Sequence, residues 1–199
     1  MATARSRIIS LAAPAPHVAL FMAAVALMAC ALAPSRAAAQ DFFSFLWDGG
    51  SRQTVKFSNR YEPRQLIVSF GDRKLYWVHR RGEAISYPIA VPREQSRWQG
   101  VTSVSRKAVN PPWAPTPAML RENPKLPKWV PGGHPQNPMG ARALYLGSSA
   151  YRIHGTDAPW SIGTAVSKGC IRMYNHDVID LYQRVPVGTR VTVTWQRFS

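Results

Sequence analysis

Between Gln65 and Trp195 only one stretch repeats its apolar residues at helical spacing: Val178, Leu181, Tyr182 and Val185. The remaining apolar segments are short and read as strands, so the chain is expected to be mainly β with one principal helix. Leu66-Ile67-Val68-Ser69-Phe70, the turn pair Gly71-Asp72, and Lys74-Leu75-Tyr76-Trp77-Val78-His79 spell a β-hairpin. A second turn at Arg81-Gly82-Glu83 leads into a strand from Ala84 to Val91, interrupted by Pro88. Proline cannot donate to a ladder, so that strand is expected at a sheet edge or bulged. Strand character returns at Ala143-Leu144-Tyr145-Leu146 and Tyr151-Arg152-Ile153, and again where Val191, Val193 and Trp195 alternate. Asn175 is placed to cap the helix, Asp177 and Asp180 suit its positive end, and Pro186 and Gly188 stop it.

Ahead of Gln40 the chain carries Arg5, Arg7 and Arg36 and no acidic residue, and Val18 to Ala33 is an unbroken apolar run. That run is short for a bilayer span and suits a secretory signal; Ala37-Ala38-Ala39 supplies a small-residue cleavage site. Residues 1–39 are therefore expected to be a signal peptide. An uncleaved anchor and a lipid-modified Cys30 are the alternatives. Residues 40–60, sticky with Phe42, Phe43, Phe45, Leu46 and Trp47, read as a tether into a domain spanning 61–199. No stable membrane insertion is expected after signal cleavage, and the periplasm is the expected location.

All of the acidic residues, and all of the lysines and arginines but the three just named, follow the signal. Basic residues outnumber acidic ones there by more than two to one. That balance suits an anionic polymer such as cell-wall material, or solubility alone. The basic residues are scattered and carry no nucleic-acid-binding motif, so nucleic acid is not an expected partner. From Pro92 to Gly140 the chain holds ten prolines and three tryptophans (Trp98, Trp113, Trp129) with little periodicity. It reads as an insertion that forms a lid or substrate wall, or a structural wrap.

With Cys30 removed, Cys170 is the lone cysteine, in Ser167-Lys168-Gly169-Cys170-Ile171-Arg172-Met173. An exported thiol without a partner is either incidental or reactive. His154 stands upstream of it, in Ile153-His154-Gly155-Thr156. A thiolate is stabilised by an imidazole, a cation or a helix N-terminus, and Lys168, Arg172 and the following helix offer such partners. Gly169 lets the backbone approach a substrate, so amides at Gly169 and Cys170 suit an oxyanion, while Gly155 leaves room for an acyl group. One cysteine and scattered histidines make no metal cluster, and no metal or cofactor is expected. His176 reads as an exposed or cap-side residue.

These two boxes, with Ser161-Ile162-Gly163 between them, Asn137-Pro138-Met139-Gly140-Ala141-Arg142 before them and Val187-Gly188-Thr189-Arg190-Val191 after them, closely resemble the signature of the YkuD-type L,D-transpeptidases. The resemblance runs from about Gln65 to Trp195. It implies a catalytic β-sandwich that cleaves the terminal D-alanine from peptidoglycan tetrapeptide stems through a cysteine thioester. By position, Cys170 would be the nucleophile and His154 the base and later acid. Gly169 and Cys170 would form the oxyanion hole, and Ser167 and Arg172 would place the substrate or the box. The acceptor would be another stem, giving a 3→3 cross-link, or an envelope protein. Two departures stand out: Lys168 where many relatives carry histidine, and the proline-rich stretch from Ser96 to Trp129. An L,D-carboxypeptidase, a non-catalytic wall-binding module and a thiol redox protein are the competing readings.

Overall fold

The computed structural model describes residues 52–199, a set that leaves out the expected signal peptide and residues 40–51 of the expected tether. Eleven strands and two α-helices follow one another along these residues. They are β1 (Gln53–Lys56), β2 (Gln65–Ser69), β3 (Lys74–Arg80), β4 (Glu83–Pro88), β5 (Val91–Pro92), β6 (Gly100–Val109), α1 (Pro117–Glu122), β7 (Arg142–Leu146), β8 (Arg152–His154), β9 (Ala165–Ser167), β10 (Ile171–Arg172), α2 (Asn175–Arg184) and β11 (Arg190–Thr194). Nine strands form one sheet in the order β1-β4-β3-β2-β11-β6-β7-β8-β10, and β5 pairs with β9 alone. None of the described helices is long and apolar enough to cross a membrane, which says nothing about strands.

The hairpin read from residues 66–79 is β2–β3, antiparallel with Leu66 opposite Trp77 and Val68 opposite Leu75. Its continuous apolar run has a simple cause: both faces are covered. Leu66, Val68, Leu75 and Trp77 enter the main core, while Ile67, Tyr76 and Val78 enter a second cluster closed by Val55, Phe57, Tyr61 and Phe198. The last part of the expected 40–60 tether is therefore part of the domain. Gln53–Lys56 pairs with β4, and the Phe57 ring lies 4.8 Å from that of Tyr76 and 4.9 Å from that of Phe198.

The strand expected from Ala84 to Val91 divides at Pro88. β4 lies between β3 and β1 rather than at an edge. Proline is tolerated because β1 reaches only from Glu83 to Ser86, so no ladder on that side asks Pro88 for a proton. Beyond it the chain leaves the large sheet: Ala90 exchanges two hydrogen bonds with Arg172, and Val91 and Pro92 pair with β9.

The proline-rich stretch also differs from its expected irregular form. It contains the long strand β6, which pairs through Gly100–Ser103 with β11 and through Val104–Val109 with β7. The strand escapes a hydropathy reading because only Val104 is buried on it, while Val101 and Val109 are more than half exposed. Backbone pairing on both sides holds it, not an apolar face. One core then joins the two halves of the sheet: Leu66, Val68 and Val191 from one, Leu144, Leu146, Ile153 and Ile171 from the other, with Val178 and Leu181 of α2 among them.

Candidate active site

The site forms where β8 and β10 run parallel, with Ile153 opposite Ile171 and His154 opposite Arg172. Ile153 and Ile171 are fully buried in the core. Strand alternation therefore turns Arg152, His154 and Arg172 to the other face, and the residue before β10, Cys170, with them. Cys170 immediately precedes β10, and His154 closes the neighbouring β8 opposite Arg172, two residues further along. The pairing of the two boxes thus brings the sequence-predicted thiol and imidazole to one face.

His154 is buried, 5% exposed, and its Nδ1 lies 2.6 Å from the Gly155 carbonyl oxygen. In the neutral ring Nδ1–H donates to that carbonyl, which leaves the lone pair on Nε2. Burial pushes the imidazole down to about 4, and the guanidinium charges of Arg172 and Arg152 add to the fall against the opposing carbonyls of Gly155 and Pro138. The ring is accordingly neutral at pH 7. The Arg152 guanidinium lies over Tyr145, 5.2 Å from the ring centroid, with Arg106 at 3.6 Å, and Arg152 Nε is buried without a hydrogen-bond partner among the described residues.

Cys170 is half-buried, its Sγ 3.9 Å from the Ala150 carbonyl oxygen. Ser167, 2% exposed, ties the cysteine loop to itself: its hydroxyl donates to the Cys170 carbonyl and accepts the Gly169 N–H at 3.4 Å. Of the two amides expected at an oxyanion, that of Gly169 is thus engaged within the loop. Gly169 has φ +128°, a conformation open to glycine, and a side chain there would enter the Tyr151 ring. Trp98 stacks on that ring, 4.7 Å between centroids and 9° between planes, and donates its indole N–H to the Gly169 carbonyl at 3.3 Å.

Several expected roles sit differently. Asn175 is the first residue of α2 rather than its cap; Tyr174 holds the cap position and makes no side-chain cap bond. The Asn175 amide staples two loops instead, accepting from Ala141 N at 3.0 Å and Thr156 N at 3.2 Å and donating to Thr156 O at 2.8 Å. The space beside Gly155 belongs to this amide rather than to a reacting acyl group. Lys168 is turned to Glu122 of α1 in an ion pair, so its charge is answered by the proline-rich stretch rather than by the thiol. His176 is exposed, stacked on Tyr174 at 5.4 Å. Trp98, Tyr151 and Asn175 were not legible as site residues. The signal for Asn175 was present in the glycine pair Gly140 and Gly155, which marks a close approach of chains.

The family model of the L,D-transpeptidase catalytic domain, YkuD, matches residues 63–193. Among relatives named as L,D-transpeptidases, ErfK/SrfK of Escherichia coli strain K12 is 43% identical over 168 residues, 75% of this chain and 51% of that protein. A protein of Fuscovulum blasticum from the ATP synthase subunits region is 37% identical over 139 residues, 69% of this chain and 72% of that one. The chain spans about half the length of ErfK/SrfK. The fold matches the catalytic domain of an Enterococcus faecium L,D-transpeptidase acylated by ertapenem, with TM-score 0.51 and 18% identity, covering 67% of this chain and 98% of that domain. A mainly β domain with a cysteine box and a histidine box on adjacent parallel strands, matched by this model over most of its length, belongs to the YkuD family of L,D-transpeptidase catalytic domains.

Proposed function

We propose that this protein is a periplasmic L,D-transpeptidase acting on peptidoglycan tetrapeptide stems through a Cys170 thioester. The observation that carries the reading is the β8–β10 register, which sets Cys170 and a neutral, buried His154 on one face of the sheet. A rotation about χ1 swings Sγ from the Ala150 carbonyl toward His154. His154 Nε2 takes the thiol proton as sulfur attacks the carbonyl of the diamino acid. The developing oxyanion is met first by the Cys170 N–H, with the Gly169 N–H shared between it and Ser167. Collapse expels the terminal D-alanine, whose amine receives the proton from the imidazolium. An acceptor amine then attacks the thioester, giving its proton back through His154, and the thiol is restored. The Gly155 carbonyl orients the ring in the part that a carboxylate plays in other triads.

Arg172 and Arg152, cationic and beside His154, suit carboxylates of the acidic stem. Ser167 serves the shape of the cysteine loop. Acceptors in this scheme are a second stem, forming a 3→3 cross-link, or an amine of an envelope protein. The test is intact mass after incubation with disaccharide-tetrapeptide. An adduct that Cys170→Ala does not form, and that His154→Ala forms slowly, supports the roles given. An enzyme that forms no adduct under any condition overturns them. Product analysis then identifies the acceptor, and release of disaccharide-tripeptide alone would make water the acceptor.

A further inference from the structure

Three of the four polar groups around the Gly169–Cys170 peptide are already held. Gly169 N–H donates to Ser167 Oγ at 3.4 Å, the Cys170 carbonyl accepts from the same hydroxyl, and the Gly169 carbonyl accepts from Trp98 Nε1 at 3.3 Å. No described peptide bond is cis, so the Cys170 N–H points opposite to the Gly169 carbonyl. Whatever fixes that carbonyl therefore aims that amide.

We infer that Trp98 and Tyr151 are positioning residues of the reaction: they clamp the Gly169 carbonyl so that the Cys170 N–H is presented to the oxyanion. Two independent contacts make the clamp. The indole N–H holds the carbonyl from one side, and the Tyr151 ring, stacked on the indole, closes the space where a side chain at residue 169 would stand. Gly169 is buried at φ +128°, a torsion that an untethered glycine leaves readily because it has no Cβ to restrict it. A glycine supplies the torsion but not the rigidity; the aromatic pair supplies the rigidity. Trp98 comes from the stretch between β5 and β6, Tyr151 from the turn before β8. The aromatic, proline-rich segment thereby acts on the chemistry through a backbone carbonyl rather than by touching substrate.

This inference rests on Cys170 being the nucleophile, and the experiment separates the two. Trp98→Phe keeps a stacked ring and removes the donor; Tyr151→Ala removes the ring that backs it. For each variant and the parent protein, two rates are compared at one pH: thioester formation with disaccharide-tetrapeptide, and alkylation of Cys170 by iodoacetamide. Alkylation displaces iodide at a saturated carbon and develops no oxyanion. Thioester formation is expected to slow about tenfold in Trp98→Phe, in kcat with KM little changed, while alkylation stays within about twofold. Equal thioester rates in parent and Trp98→Phe overturn the inference. So does a parallel fall in both rates, which would mean that Trp98 only supports the loop's fold. A parent protein that is alkylated at Cys170 but never acylated removes the nucleophile reading, and this inference with it.

Discussion

Asn175 fills the space that a side chain at Gly155 would need: a Cβ there would stand beside the Asn175 amide, 3.0 Å from Ala141 N and 3.2 Å from Gly140 Cα. Glycine at the His154 box is thus a packing requirement of the loop staple. Gly155→Ala is expected to destabilise by about 1–3 kcal/mol through overpacking. Asn175→Ala is expected to cost about 1–2 kcal/mol by leaving two N–H donors and a carbonyl without their partner. Urea unfolding checks both, and a Gly155→Ala midpoint equal to the parent's would show that the loops separate freely.

The pH dependence follows from the buried imidazole. Since burial pushes His154 down to about 4, against an ordinary 6.5, the neutral imidazole persists through pH 5. Thioester formation should therefore lack an acid limb near pH 6.5, and one appearing there would place the base elsewhere or open the site to water. For stability the sign is set by the depressed folded value. The unfolded chain binds the proton first, so stability is complete above about 6.5 and falls as pH drops toward 4, by on the order of 3 kcal/mol. Denaturation midpoints at pH 7 and pH 4.5 measure the fall, which should be reduced in His154→Gln.

His154→Gln should slow thioester formation by about 10²–10⁴-fold, the range of a lost general base. Single-turnover mass spectrometry measures it. A loss below tenfold would leave His154 without the proton-transfer role.

Lys168 is committed to Glu122 on an exposed face, where solvent screening leaves an ion pair little net weight. Lys168→His should leave acyl transfer within about threefold of the parent, and Glu122→Gln should leave the urea midpoint close to the parent's. Acylation abolished by Lys168→His would show that residue 168 takes part in the proton transfer.

Phe57 tests where the domain begins. Its ring packs on Tyr76 and Phe198, so Phe57→Ala is expected to cost about 2–4 kcal/mol, measured by thermal or urea unfolding. A cost below about 0.5 kcal/mol would return residues 53–57 to the role of a tether.

The residue pattern alone determined the elements rich in buried apolar side chains: the β2–β3 hairpin, covered on both faces, and α2 and β11, whose periods follow the one face each turns to the core. It also singled out Cys170 and His154 as candidates, because those boxes are local and their chemistry is carried by residue type. Tertiary structure decided the rest. β6 has one buried apolar residue and is held by backbone pairing, to which side-chain hydropathy is blind. Pro88 sits inside the sheet because a neighbouring strand stops short. Asn175, Trp98 and Tyr151 gain their roles by meeting Thr156 and Gly169 across long separations in the chain, where geometry rather than spacing brings the partners together. Neutrality of His154 below pH 6.5 likewise follows first from burial and then from the charges of Arg172 and Arg152, and the burial and the approach of Arg172 come only with the packed strands.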